Sequence, residues 1–181
     1  MLVNERHICY HQVKRSDFAL TMQNVSHPFD PVWNENSRIL ILGSFPSVRS
    51  REIGFYYAHP QNRFWPLMEL LFRDPVGSTV EERRIFALRH GIALWDSIES
   101  CLITGSSDAS IRDAKPNDIA GLIQKTRVQR VYCNGQLSYR LYQKYCAEAC
   151  CMPAIPLPST SAANAAWSME KLAEAWKVIL A

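Results

Sequence analysis

The chain has 181 residues, 48% hydrophobic and 20% charged, which excludes a disordered polymer and fits one domain with a sizeable core. A formal net charge of +3 permits a polyanionic partner without requiring one. No apolar run approaches the roughly 20 residues of a membrane span, and the opening MLVNERHICYHQVKR places charges where a secretory signal would be apolar. A soluble intracellular protein is therefore expected.

Residues 1–25 show no clear hydrophobic period and read as an N-terminal extension to a domain over 26–181. In SRILILGSFPS, the run Ile39 to Leu42 between Arg38 and Gly43 predicts a strand buried on both faces, left through a Gly-Ser-Phe-Pro turn. NRFWPLMELLFRD spaces Phe64, Met68, Leu71 and Phe72 as a helix beginning near Asn62, with Pro66 tolerable in the first turn. STVEERRIFALRHG predicts a second helix, capped by Ser78 with Glu81 three residues on and ended by Gly91.

IALWDSI predicts a second strand, CLITGSSDASIRDAKPND a polar loop, and DIAGLIQKT a short helix. VQRVYCNG predicts a third strand, LSYRLYQKYCAEA a helix, and MPAIPLPSTSAANA a short strand entering a Ser/Thr loop. The last helix is expected from about Ala165, with Trp167, Leu172, Trp176 and Ile179 on one side. Strands alternating with helices give a three-layer α/β/α sandwich with a short, mainly parallel central sheet. Ligands in such a fold sit beyond the carboxyl ends of the strands, which singles out the loops 43–62, 105–117 and 158–164.

Six cysteines, at positions 9, 101, 133, 146, 150 and 151, lack the paired spacing of a zinc or iron-sulfur site and read as reduced thiols packed as small hydrophobes; no metal is expected. The first loop crowds Phe55, Tyr56, Tyr57, Phe64 and Trp65 around His59 and Asn62. By position alone Asn62 is a helix cap and His59 a packed histidine, and the tyrosines either cover the sheet or form a platform for a flat ligand such as a nucleobase. Ser159, Thr160 and Ser161 either cap the last helix or grip an anion. Arg49, Arg51 and Arg63 flank the first loop and suit phosphates.

Three segments in this order, ILILGSFPS, YYAHPQNRFW and LPSTSAANA, resemble motifs of the uracil-DNA glycosylase superfamily. AHPQNRFW is similar to the AHPxNRFW segment of its mismatch-specific members. Together with GSSDASIRDAKPNDI, the set resembles the hypoxanthine-DNA glycosylase branch more closely, over residues 26–181. The resemblance implies a monomeric, monofunctional glycosylase that hydrolyses the N-glycosidic bond of a flipped deaminated base in DNA, leaves an abasic site, needs no cofactor, and works in the cytoplasm at the bacterial nucleoid. Most of the superfamily has Asp or Asn one residue before the first-motif proline; here that residue is Phe45, so the attacking water must be held elsewhere.

By the same resemblance Asn62 becomes the catalytic residue, orienting water through its amide oxygen. Tyr57 would stack on the base, with Tyr56 and Phe45 walling the pocket. Backbone amides of Gly43, Ser44 and Phe45, with His59, would donate to the leaving base. Ser159, Thr160, Ser161, Arg49 and Arg63 would hold DNA phosphates, and Asn164 would shape their loop. A uracil- or mismatch-specific glycosylase and a non-catalytic nucleobase- or nucleic-acid-binding module remain alternatives. A zinc nucleobase deaminase would need HxE and PCxxC, and the chain has neither.

Overall fold

The computed structural model describes residues 22–104 and 110–181. Its first half runs β1 (Gln23–Ser26), β2 (Ile39–Gly43), α1 (Val48–Ile53), α2 (Phe64–Phe72), α3 (Val80–Arg89), β3 (Ile92–Asp96) and β4 (Ile98–Ile103). The second runs β5 (Arg112–Pro116), α4 (Ile119–Gln124), β6 (Arg130–Asn134), α5 (Gln136–Tyr145), α6 (Ala147–Cys150), β7 (Ala154–Leu157), α7 (Met169–Trp176) and a closing 3-10 turn at Lys177–Leu180.

Four strands in the order β3-β2-β6-β7 pair in parallel to form the central sheet. Every residue of β2 is buried, and successive side chains go to opposite faces. Ile39 and Ile41 join Ile92, Leu94 and Tyr132 beneath α2, α3 and α7. Leu40 and Leu42 join Ala93, Val131 and Cys133 beneath α4, α5 and α6. Each such aliphatic side chain contributes about 1.5–3 kcal/mol by leaving water, so a central strand with no polar face is held from both sides. The expected three layers are present.

A second sheet, β1-β4-β5, is antiparallel and springs from the end of β3. The backbone bends at Ser97, whose N–H donates to the Gly43 carbonyl at 2.9 Å, and then continues directly as β4. Here the structure departs from the sequence reading. Much of the stretch read as a polar loop is β4 and β5, in which Ile98, Cys101 and Ile103 bury one face against Phe45 and Leu141. All five β5 residues are exposed or half-buried, so that strand carries no hydrophobic period to read. Residues 105–109 of this stretch, like 1–21 of the expected extension, lie outside the described residues.

Three boundaries also shift. Helix α1 occupies a stretch read as turn and loop; Ser47 caps it, accepting from Ser50 N–H at 3.2 Å, and Gly54 closes it with φ +73°. Thr79 and Glu82, one residue beyond the expected Ser78 and Glu81, form the reciprocal capping box of α3. Helix α7 starts at Met169, capped by Ser168, not near Ala165.

Candidate active site

All four parallel strands deliver residues to one cleft of about 710 Å³ at their carboxyl ends, within the range of small-ligand sites. Gly43 ends β2, Asp96 ends β3, Asn134 ends β6, and the Ser159–Ala163 loop follows β7. The cleft brings together Gly43, Ser44, Phe45, Tyr56, Tyr57, His59, Asn62, Ser159, Thr160, Ser161 and Arg49, which the sequence places in separate loops.

The rings divide into core and lining. Phe55 stacks on Trp65 at 5.8 Å between centroids, and Phe64 meets Trp65 edge-on at 5.0 Å, so these three belong to the core. Tyr57 stacks on Phe64 at 4.0 Å and lines the cleft with its half-buried side chain. Its φ of +53° is an uncommon, strained conformation for a bulky residue, which the packing around it sustains. Burial and the Asp96 carboxylate push its phenol above the ordinary range, so it stays a neutral O–H group. Tyr56 lines the cleft too, but its hydroxyl turns away to donate to the Asp30 carbonyl at 3.1 Å. Phe45 is buried, with the Arg51 guanidinium 5.7 Å from its ring centroid.

Asn62 caps α2 and also lines the cleft, but its amide oxygen is not free to orient water as expected. Its Oδ1 accepts from the Phe64 N–H at 3.0 Å, which satisfies a free donor at the start of α2, and its side chain lines the cleft. The same oxygen accepts from the Thr160 hydroxyl at 2.9 Å. With both lone pairs engaged, the Asn62 amide oxygen has no capacity left for water, and Nδ2 is its remaining polar group. Thr160 is fully buried, and Asn134 grips it at two points: Nδ2 donates to Oγ1 and the Thr160 N–H donates to Oδ1, both at 2.9 Å.

The phosphate-binding expectation therefore needs two corrections. Thr160 is enclosed, and its N–H and hydroxyl are both spent. Arg63 turns inward: its guanidinium donates to the carbonyls of Ser161 at 2.9 Å, Asn164 at 3.1 Å, Thr160 at 3.4 Å, and Trp167. It clamps the Ser/Thr loop where a phosphate contact was expected. Asn164 shapes that loop, donating from Nδ2 to the Ser159 carbonyl at 2.9 Å. Arg49 is exposed and paired with Glu52 at 2.9 Å. His59 lies at the exposed rim, its Nδ1 accepting from Gln61 N–H at 3.2 Å, so its neutral ring carries the proton on Nε2.

Sequence reasoning missed three residues: His27, Asp96 and Asn134. The carboxylate of Asp96 lines the cleft while 4% exposed, and His27 Nε2 lies 2.8 Å from its Oδ2. An acid at the carboxyl end of a buried parallel strand was a usable signal for Asp96, and the Asn-Gly at the end of β6 for Asn134. His27 carried none. Among the described residues, no group of three or more His, Cys, Asp or Glu could hold a metal ion, and no helix is long and apolar enough to cross a membrane.

A parallel sheet whose strand ends meet at a ring-lined cleft, with an anchored amide at its side, defines an α/β protein with a ligand-sized site at the carboxyl ends of its strands. The chain belongs to the uracil DNA glycosylase superfamily, whose family model matches residues 31–180. It is 31% identical to a hypoxanthine DNA glycosylase of Methanosarcina acetivorans over 156 residues, covering 86% of this chain and 98% of that one. It is 38% identical to the hypoxanthine DNA glycosylase of Methanosarcina barkeri over 93 residues, which span 51% of this chain and 59% of that one. A solution NMR structure from Methanosarcina acetivorans, described as a uracil DNA glycosylase, matches with a TM-score of 0.71 and 28% identity, covering 84% of this chain and 97% of that chain.

Proposed function

We propose that the protein is a monofunctional DNA glycosylase that removes hypoxanthine from deoxyinosine in DNA. The observation that carries this reading is the Asn62 amide, pinned by two donors to its oxygen in the cleft that Tyr57 lines. The hypoxanthine DNA glycosylases among its relatives support the choice of base.

Unpairing and extruding a nucleotide costs a few kcal/mol, and less at a mispair, so a weakly paired deaminated base is favoured before any contact is made. Tyr57, backed by Phe64, offers the extruded purine a replacement stack worth about 1–3 kcal/mol. Cleavage of the glycosidic bond puts positive charge on the sugar and negative charge on the base. Backbone amides at Gly43 to Phe45 and the His59 Nε2–H are the donors for the departing ring.

A sugar carrying that positive charge needs a placed water more than a deprotonated one. Asn62 Nδ2 donates to one lone pair of that water and leaves the other free to attack the sugar carbon; the glycosidic electron pair leaves with the base, which takes up the proton that the water sheds. Hydrolysis of this bond leaves an abasic site in the strand. Ser159, Ser161 and Arg49 meet the flanking phosphates; the exposed Arg49–Glu52 pair is worth no more than about 1 kcal/mol, so a phosphate can displace the carboxylate.

The test uses labelled duplexes holding a single inosine, uracil or xanthine, incubated with the protein and then treated with alkali to cut abasic sites. Inosine should give strand breaks only after alkali. Product from uracil alone would overturn the choice of base, and product from none would favour a binding module.

A further inference from the structure

We infer that Arg83 and Arg84, with Arg51, form a phosphate track that carries duplex DNA from the cleft rim across the amino end of α3. This rests on the DNA glycosylase reading above and extends it to the strand beyond the extruded base. Five rings lead outward from the cleft in one chain of contacts: Phe45 to His27 at 6.3 Å, His27 to Tyr56 at 5.9 Å, Tyr56 to Phe55 at 5.9 Å and Phe55 to Trp65 at 5.8 Å between centroids. A guanidinium lies over three of them: Arg51 at 5.7 Å from Phe45, Arg84 at 5.7 Å from Phe55 and Arg83 at 5.6 Å from Trp65. Ring faces attract cations at this distance. All three arginines are half-buried, so the stems pack while the heads stay within reach of a ligand.

Arg83 has no anion. Its Nε is buried without a hydrogen-bond partner, and among the described residues no carboxylate pairs with its guanidinium. The acids of its own helix are committed elsewhere: Glu81 reaches Arg84 at 3.8 Å, and Glu82 accepts from the Ser78 and Thr79 N–H groups in the capping box. Burial lowers the hold of Arg83 on its proton and no neighbouring charge offsets it, yet arginine stays charged. A cation left uncompensated in this way costs stability. A ligand that brings its own anion relieves that cost, and the planar fork of donors suits a phosphate.

The path of the chain puts this cation on the DNA side. Helix α3 turns through Gly91 directly into β3 and packs back on it, so the two run in opposite directions. Strand β3 carries its carboxyl end to the cleft, and the early turns of α3, which hold Arg83 and Arg84, lie at that same end of the sheet. Helix α1, which holds Arg51, already lines the cleft with Val48, Arg49 and Ser50. A strand with one base in the cleft therefore leaves over α1 toward α3.

Binding of the full chain to duplex DNA, followed by fluorescence anisotropy across a range of salt, tests this. Arg83→Met keeps a long side chain on Trp65 and removes the charge. It should weaken duplex binding about threefold or more and reduce the slope of log affinity against log salt by about 0.9; adding Arg84→Gln should bring the reduction to about 1.8. The thermal midpoint of Arg83→Met should hold or rise, because an uncompensated charge has gone. Lys125→Gln, exposed at the end of α4 and so at the opposite end of the sheet, is the charge-matched control and should leave the slope as it was. Cutting back one duplex arm beside the lesion should erase the difference between Arg83→Met and the unaltered protein, while cutting back the other should preserve it.

A purely structural role gives the reverse, a lower midpoint with affinity and slope unchanged, and overturns the inference. A slope loss no larger than that of Lys125→Gln, or one that ignores both arms, does the same. If these slopes appear but no base is removed, the glycosylase reading fails and the track stands. If inosine is removed while Arg83→Met binds DNA as the unaltered chain does, the track alone fails; an oligoglutamate peptide held by the unaltered chain and not by Arg83→Met then assigns the cation to an acidic protein partner. Should Arg83→Met fail to fold, Arg84→Gln in the same comparison of arms decides.

Discussion

The Thr160 hydroxyl donates to Asn62 Oδ1 at 2.9 Å while accepting from Asn134 Nδ2 at 2.9 Å, so the loop after β7 and the mouth of α2 are tied through one buried oxygen. The link holds the Asn62 amide with its oxygen inward. Asn62→Ala should lower inosine excision at least about 10²-fold, and a loss below about threefold would remove Asn62 from the mechanism. Thr160→Val keeps the shape but leaves the Asn134 amide unpaired, which should cost about 1–3 kcal/mol of stability. It should also slow excision about tenfold, chiefly in kcat, by freeing Asn62 to turn. Combined with Asn62→Ala it should slow excision no further, because both changes act through the same amide. Single-turnover rates and denaturant melts of the three variants measure this.

Gly43 and Gly54 form a contrasting pair. A Cβ at Gly43 meets Asp96 Oδ1 at 2.1 Å and Cγ at 3.3 Å, and Asp96 cannot swing aside without leaving His27. Gly43→Ala should therefore cost about 1–3 kcal/mol by overpacking and abolish measurable excision. At Gly54 nothing lies within 4 Å of the added atom, and only the φ of +73° resists. Gly54→Ala should cost about 1 kcal/mol with little change in rate. Equal effects of the two substitutions on excision would contradict the placement of Asp96 against Gly43.

Much of this was readable in the sequence because burial on both faces leaves an unbroken apolar run. Ile39 to Leu42 shows β2 directly, and an apolar period shows α2. Two of the three expected site loops, 43–62 and 158–164, line the cleft, while no described residue of 105–117 does. What stayed hidden were features set by contacts across the chain. Helix α1 has a polar sequence and rests on the Ser47 cap. Strand β5 has no buried face. Arg63 reads as a surface cation until the carbonyls of Thr160, Ser161, Asn164 and Trp167 are folded around it. The pairing of Asp96 with His27 spans 69 residues and leaves no local pattern. Phe45, apolar where most of the superfamily is polar, marks only where the water is not held.

The different surroundings of two arginines predict opposite phenotypes. Arg63 ties four backbone carbonyls of one loop together through a half-buried, charge-assisted fork, and three of them also accept a backbone N–H, so Arg63→Ala should destabilise the protein by about 1–3 kcal/mol. Lysine cannot reproduce the planar fork and should rescue little. Arg49, exposed and loosely paired, should leave stability unchanged when replaced by alanine. Arg49→Ala should instead weaken DNA binding and reduce the slope of log affinity against log salt by about 1. Thermal melts and salt titrations of DNA binding separate the two, and a reduced salt slope without a stability loss in Arg63→Ala would contradict the clamp.

Acid sensitivity should be concentrated where α2 meets α3. Asp74 accepts from His90 Nε2 at 2.7 Å and from Arg89, and these contacts, the His90 hydrogen bond foremost, hold its carboxyl below the usual range. Glu82 is lowered likewise, first by the Thr79 backbone N–H of the capping box. A carboxylate lowered in the folded state is more readily protonated in the unfolded chain, so its contribution is complete above the ordinary value near 4. That contribution then fades as pH falls through the lowered folded value. Urea midpoints should therefore drop between about pH 5 and pH 2. Asp74→Asn should flatten part of that drop while lowering the midpoint near neutrality, because the charge that His90 and Arg89 face is gone. Glu82 is exposed and Asp74 half-buried at the surface, so added salt should shrink the difference between the variant and the original chain only in part. An Asp74→Asn protein with the same acid slope as the original would place the titrating groups elsewhere.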